Sequence, residues 1–306
     1  MGGDANIAWI AVDWGTSNLR IWAMDGADRV VAKASSDAGM ATLAQSEFEP
    51  ALIDLAQPFL RDGHKMPVIC CGMVGSRQGW AEAPYLQVPC KAPTGTDVTR
   101  IQGRDPRIDV HILPGIKQTL RPDVMRGEET QIAGFLKFNP EFDGILCMPG
   151  THTKWVHISA EEVVSFQTCM TGELFALLSK QSVLRHSVAG DGFDAGAFGA
   201  AIDDAMARPQ NLATDLFSLR AGGLVADQTQ ATARARLSGL LIGAELAATR
   251  PYWLGQNVVI LGDDALANLY RDGLATQGVS TATADICEIT LAGLTAAHAA
   301  IKETAT

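Results

Sequence analysis

The chain has 306 residues, room for two domains of ordinary size. Its 47% hydrophobic and 19% charged content excludes a disordered polymer and calls for large buried cores. A formal charge of −10, with no long Lys or Arg run, argues against nucleic acid and anionic membrane as partners, so any anionic ligand must be met by a local positive pocket.

Residues 7–13, 19–25 and 29–36 are predicted strands, and the first two are joined by a turn inside IAVDWGTSNLRIW (10–22). A glycine flanked by a carboxylate and two hydroxyls is an unusual hairpin, where Asn-Gly or Asp-Gly is the common choice. A helix around 47–62 and a buried strand at 66–75 follow. The Gly-, Pro- and Thr-rich segment 79–105 reads as a long loop with short strands, a length that usually carries function. A strand at 109–115 closes this half, and a helix at 125–138 opens the next.

The pattern then restarts, with strands predicted at 143–148, 153–159 and 162–169. Helices are expected around 171–182, 192–206, 212–222 and 228–249, then a strand at 257–262, a helix to about 277 and a final helix near 288–302. In ILCMPGTHTKWVHI (145–158), Gly150 and Thr151 fall where Gly15 and Thr16 fall in the first copy. The expectation is two similar α/β domains: 1–125 with the first turn, and 126–306 with the second, the final helix free to pack back on the first.

No apolar run reaches the roughly 18–20 residues of a transmembrane helix. The opening residues enter a strand without a basic n-region, so no signal peptide is expected. Six cysteines without a CxxC pair read as buried reduced thiols of a cytoplasmic protein, neither a disulfide framework nor a zinc site.

A glycine turn lets backbone N–H groups approach an anion closely, since no Cβ blocks the way. The hydroxyls of Thr16, Ser17, Thr151 and Thr153 add donors, and Lys154 or Arg20 adds charge. Asp13 repels phosphate directly but suits Mg²⁺ held through water. Two such turns facing each other across a cleft would grip a polyphosphate; two ordinary hairpins of a duplicated fold is the plainer reading. No P-loop and no strand-linked GxGxxG is present.

AVDWGTSNLR, GMVGSRQGW, APYLQVP, VMRGEETQ, MPGTHTKWV, MTGELFALL and LSGLLIGAE, in that order over most of the chain, resemble the 2-dehydro-3-deoxygalactonokinase family of the actin-like ATPase and sugar-kinase superfamily. The resemblance implies two actin-like, ribonuclease H-like domains, each a mixed sheet flanked by helices, with a cleft between them. It implies transfer of the ATP γ-phosphate to the terminal hydroxyl of a 2-keto-3-deoxy sugar acid in galactonate catabolism, with ATP and Mg²⁺ required. Kinases of the gluconate epimer or a related sugar, and an actin-fold phosphohydrolase, stand as alternatives; a homodimer is the default assembly.

By that resemblance the helix opening RGEETQ supplies the base. Adjacent helical residues point about 100° apart, so only one of Glu128 and Glu129 faces the cleft. Glu129 is expected as base and Glu128 as a ligand of substrate hydroxyls; without the resemblance both read as first-turn acids complementing the helix dipole. Ser76, Arg77 and Arg126 are candidates for the substrate carboxylate. Glu173 is a candidate for sugar hydroxyls, Thr171 a cap, and His152 a donor to phosphate. The adenosine segment is expected at LGDDALANLY (261–270), with Gly262. Met148 stands where Asp13 stands in the first copy, a departure from many superfamily members. The helix containing LSGLLIGAELAATR reads as a packing face, against this chain or another subunit.

Overall fold

A computed structural model describes residues 7–95 and 97–304. The chain divides into two compact units, one comprising residues up to Phe142, Ala160–Val164 and from Ile286 on, the other Asp143–Ser159 and Ser165–Asp285.

In the first unit β1 (Ile7–Trp14), β2 (Leu19–Asp25) and β3 (Val30–Ser36) form an antiparallel meander. Then come α1 (Phe48–Ala56), β4 (Met66–Gly72), β5 (Tyr85–Gln87), β6 (Cys90–Lys91), β7 (Thr99–Ile101) and β8 (Ile108–Ile112). The main sheet runs β3-β2-β1-β4-β8-β7, with β4 parallel to β1 and β8 parallel to β4. A small second sheet joins β5 to β9 (Gly115–Gln118) and β10 (Asp123–Met125), and α2 (Glu128–Phe138) follows. β1 is apolar on both faces because both are covered. Ile10, Val12 and Trp14 pack with Phe48 and Leu52 of α1, whereas Trp9 and Ala11 pack with Trp22, Ile69, Leu294 and Ala297. The last two belong to α9 (Ile286–Thr304).

The second unit repeats the order. β11 (Gly144–Met148), β12 (Thr153–Ser159) and β13 (Glu162–Cys169) form the meander, extended by parallel strands β14 (Val258–Leu261) and β15 (Thr281–Ala284) in the order β13-β12-β11-β14-β15. The opening pair Glu162–Val163 of β13 bonds to β6 and is counted with the first unit. Its helices are α3 (Thr171–Lys180), α4 (Ala195–Ala207), α5 (Leu212–Val225), α6 (Gln230–Ala248), α7 (Arg250–Trp253) and α8 (Asp264–Thr276). Both units are mixed α/β domains, as the duplicated pattern requires.

Several expectations are corrected. The division falls after Phe142, not after residue 125: α2 lies against α9, and a methyl group at Gly134 would collide with the Ile289 carbonyl, one at Gly293 with that of Thr130. Two glycines seat this crossing, so α2 belongs to the first unit. The helix expected over 47–62 ends at Ala56 and passes into a 3₁₀ turn containing Pro58, which lacks the N–H that a further α-turn needs. The strand from 66 stops at Gly72, whose φ of +92° leaves the strand region, and α2 starts at Glu128 because Gly127 (φ +107°) turns the chain after β10. Cys287 is exposed, unlike Cys70, Cys71 and Cys147, which are buried. The small-residue helix α6 packs within this chain, where Gly239 and Gly243 approach Phe198 and Ile202 of α4. Among the described residues no helix is long and apolar enough to cross a membrane.

Candidate active site

β1 and β2 pair inward as far as Trp14–Leu19, leaving a four-residue turn that Gly15 N–H closes on the Asn18 carbonyl (2.9 Å). The turn presents the exposed hydroxyls of Thr16 and Ser17. Its outer side is braced by a second segment: Met40 N–H and Ala41 N–H donate to the carbonyls of Gly15 and Thr16 at 3.1 and 3.0 Å, and Trp14 Nε1 donates to Ala38 O. A methyl group at Gly39 would strike the backbone of Ser17, so only glycine permits this contact. Asp13, opposite Arg20 in the register, forms an ion pair with it at 2.5 Å. Burial pushes the Asp13 carboxyl up, and the Arg20 guanidinium opposes that.

The end of β4 brings a second carboxyl near. Gly72 fits against β1 because it has no side chain; a Cβ there would lie 2.6 Å from the Trp14 carbonyl and 3.5 Å from Asp13 Oδ1. A Cβ on Gly127 would lie 3.3 Å from Gly72 Cα. Glu129, two residues on, is fully buried, and both its oxygens accept from Gly127 N–H at 2.8 and 2.7 Å. Burial, helped by the neighbouring Glu128, raises the Glu129 carboxyl to about 8, with the Gly127 N–H opposing. The Cys71 thiol is pushed up chiefly by burial and then by both Asp13 and Glu129, which places the two acids around Cys71–Gly72. Glu128 is half-buried and accepts from Arg126 N–H at 3.0 Å.

Arg126 is buried at 8% exposure. Its Nη2 donates to the Ala83 carbonyl (2.8 Å), its Nε to Tyr85 OH (3.3 Å), and the guanidinium lies 4.2 Å over the Tyr85 ring. Nη1, against Gly75, and the hydroxyl of Ser76 are buried without a hydrogen-bond partner. Arg77 instead points to solvent and pairs with Glu82 at 3.4 Å.

In the second unit, β11 and β12 pair inward only to Met148–Lys154, so the turn holds five residues, Pro149 among them. Here the brace is α3: Glu173 N–H donates to the Thr151 carbonyl (3.0 Å), and a methyl group at Gly172 would strike the Gly150 carbonyl. His152 Nε2 and Glu173 Oε2 are 2.6 Å apart, so Glu173 sits beside the second glycine turn. Thr151 is exposed, whereas Thr153 and Lys154 are buried. Beside the turn opens a cavity of about 290 Å³, mostly apolar, walled by Gly150, Thr171, Phe175, Phe193, Leu241, Ile242, Leu266 and Tyr270. Gly262 lies against Pro149 of the turn, and Asp263 caps α8 by accepting from Leu266 N–H (3.1 Å), which accounts for an acidic residue at this point.

The family profile described as 2-keto-3-deoxy-galactonokinase matches residues 13–297. The chain is 42% identical to a protein of Rhizobium meliloti (strain 1021) assigned as 2-dehydro-3-deoxygalactonokinase, covering 96% of this chain and 97% of that one. It is 34% identical to the 2-dehydro-3-deoxygalactonokinase of Escherichia coli (strain K12), over 97% of each. The chain belongs to the 2-keto-3-deoxy-galactonokinase family. A crystal structure from Sinorhizobium meliloti, also assigned to 2-dehydro-3-deoxygalactonokinase, superposes with a TM-score of 0.89 at 40% identity, covering 96% of this chain and 99% of that one.

In this galactonokinase-family chain, then, the expected residues fall into groups. Asp13, Gly15, Thr16 and Ser17 form one turn, and Glu128, Glu129, Arg126 and Ser76 gather in the same unit. Gly150, Thr151, Gly262 and Glu173 gather in the other. Three expectations change, the first being that Thr171 does not cap α3: Met170 stands at the cap position, and the Thr171 hydroxyl donates to Glu245. Arg77 is separated from Arg126 by its outward pairing with Glu82. The Thr153 hydroxyl turns inward to Tyr270 OH at 2.8 Å, so it is not among the groups the turn displays. Among the described residues no three His, Cys, Asp or Glu side chains group as a metal cage. A lone carboxylate fits Mg²⁺, which is commonly held by one or two carboxylates, waters and substrate phosphates. Glu245, buried in α6, was missed; its signal is a carboxylate inside the apolar run LSGLLIGAELAA.

Proposed function

We propose that the protein transfers the γ-phosphoryl group of ATP to the terminal hydroxyl of 2-dehydro-3-deoxygalactonate. The observation that carries this reading is the segment Arg126–Glu129. A buried guanidinium with an unsatisfied N–H stands three residues from a buried carboxyl whose pKa is raised to about 8. A sugar acid needs both: a cation for its carboxylate and a base for the hydroxyl proton.

Arg126 Nη1 and the Ser76 hydroxyl take the substrate carboxylate, and Glu128 takes a substrate hydroxyl. Glu129 accepts the proton of the attacking hydroxyl as its oxygen bonds to the γ-phosphorus and the bond from that phosphorus to the β–γ bridging oxygen breaks, with ADP as the leaving group. Gly15, Thr16 and Ser17 on one turn, and Gly150 and Thr151 on the other, hold phosphate oxygens through backbone and hydroxyl donors. Asp13 is the residue that would hold Mg²⁺ through water, and the ion would supply charge neutralisation for the transferring phosphoryl group. The apolar cavity beside Gly150 receives the adenosine. The protein acts in the cytoplasm, where its buried thiols stay reduced.

The test is ADP release from ATP and Mg²⁺ with the galacto and gluco epimers of the keto acid run side by side. Turnover with the galacto epimer is the expected result. Preference for the gluco epimer would keep the kinase and change the substrate; the two differ at one hydroxyl centre, worth about 1–3 kcal/mol when a buried partner is lost. ATP hydrolysis indifferent to both sugars would replace the kinase by a phosphohydrolase.

A further inference from the structure

Glu245 lies in the last turn of α6, 5% exposed, where a carboxylate is retained only if its charge is met. Three donors meet it, each from a different element. Trp155 Nε1 of β12 donates to Oε1 at 2.7 Å, Tyr270 OH of α8 donates to Oε2 at 2.8 Å, and the Thr171 hydroxyl at the start of α3 donates to Oε2. A phenol has a single proton. Since Tyr270 gives its proton to Glu245, the Thr153 hydroxyl must be the donor in its bond to Tyr270. A directed chain therefore runs from Thr153, the last residue of the glycine turn, through Tyr270 to Glu245.

Each donor also touches the nucleotide side of the unit. Thr171 and Tyr270 line the cavity with Gly150. Thr171 precedes Gly172, whose missing Cβ lets α3 press on the Gly150 carbonyl, and Glu173 N–H then holds the Thr151 carbonyl. Trp155 and Thr153 fix the strand that leaves the turn. An apolar residue here would leave the Trp155, Thr171 and Tyr270 donors without this acceptor, so it is the carboxylate that draws the three elements to one point.

We infer that Glu245 is a positioning residue for ATP, setting the glycine turn 149–153 and the wall of the adjoining cavity in register with each other through Trp155, Thr171 and Tyr270. The inference rests on the reading of that turn and cavity as the nucleotide site. It assigns to Glu245 no contact with substrate; its effect passes through the groups it holds. Burial raises the Glu245 carboxyl, and the three donors oppose that.

The test is titration calorimetry of a non-hydrolysable ATP analogue with the full chain, in wild type, Glu245→Gln and Tyr270→Phe, together with KM for ATP and for the sugar acid. Glu245→Gln preserves shape but offers one acceptor oxygen in place of two, so its Kd for the analogue and its KM for ATP should rise about tenfold, the cost of one charge-assisted bond. Tyr270→Phe leaves two of the three bonds to Glu245 and cuts the chain to Thr153; a rise of about threefold is expected. KM for the sugar acid should stay within about twofold of wild type, a split that general loss of structure would not produce. Analogue binding by Glu245→Gln as tight as wild type, or tighter through relief of repulsion, overturns the inference. Should Glu245→Gln fail to fold, Tyr270→Phe decides, and wild-type affinity there overturns it equally. A wild-type protein that binds no analogue overturns the nucleotide reading itself, which is a different result from an unaffected variant.

Discussion

The two glycine turns occupy the same place in their sheets, yet they are built differently. Both connect the central strand of a meander to its neighbour, and both are braced by a glycine from elsewhere, Gly39 against the first and Gly172 against the second. The first carries its carboxylate on the strand itself, Asp13 facing Arg20. The second has Met148 at that position, and its carboxylate, Glu245, sits one layer down on a helix. The Asp13 side chain keeps 13% exposure beside its turn, whereas Glu245, 5% exposed, ends on three donors of the protein itself. The two turns thus share a glycine-braced backbone and differ in where the nearby carboxylate is placed.

The largest expected effect tests the charged half. Glu129→Gln should lower kcat by about 10²–10⁴, the usual worth of a general base. The same variant should be more stable than wild type at alkaline pH. The sign follows from the carboxyl being raised from 4.5 to about 8 in the fold: the native state keeps a proton that the unfolded chain releases. Wild type should therefore lose about 5 kcal/mol of stability as pH rises from 4.5 to 8, and no more from this group above 8. The glutamine variant should lack that slope, and its amide oxygen keeps one of the two Gly127 contacts. Urea unfolding at pH 5, 7 and 9 measures it. For wild type, kcat/KM should climb with pH to a plateau above about 8; a flat profile from pH 6 to 9 would remove Glu129 as base and turn attention to Glu128.

Next, Arg126→Lys should raise KM for the sugar acid by about 10–100-fold, since Lys loses the planar fork and the stacking on Tyr85. KM for ATP should not follow; if both rise together, Arg126 is a structural residue of the β5–β9–β10 sheet. Asp13→Asn should weaken Mg²⁺ dependence by about 10–100-fold, read as the Mg²⁺ concentration giving half-maximal rate. No such carboxylate stands on the second turn, so Met148→Asn should leave that concentration where it is. The smallest effects concern the braces. Gly39→Ala and Gly172→Ala should each cost about 1–3 kcal/mol by thermal or urea unfolding, because the new methyl group meets backbone that cannot swing away. Equal losses would say that the two cradles are equally rigid; a loss in one alone would show which turn yields.

Much of this was legible in the chain. Alternation of polar and apolar residues marks β2, β12 and β13 to the residue, and the double apolar face of β1 already says that helices cover both sides. Asp13, Gly15 and Thr16 could be picked out because a turn is local and its chemistry is written in adjacent letters. Helix geometry says that only one of Glu128 and Glu129 can face inward; the fold decides which, burying Glu129 and leaving Glu128 half-exposed.

What the sequence could not contain is any property made by residues far apart along the chain. Arg77 and Arg126 looked alike as cations near a glycine-rich segment; only the fold gives Glu82 to one and buries the other beneath Tyr85. Thr153 read as a phosphate donor because its neighbours did, yet its hydroxyl is claimed by Tyr270, 117 residues on. The short strands β9, β10 and β15 exist by pairing, since three or four residues have too little periodicity to announce themselves. Hydrophobic period and turn chemistry are carried by neighbours, so the sequence by itself determined the duplicated α/β pattern and the two glycine turns. Burial, charge pairing and the raised carboxyl of Glu129 depend on what the folded chain brings alongside, so tertiary structure alone decided which acids and bases could act.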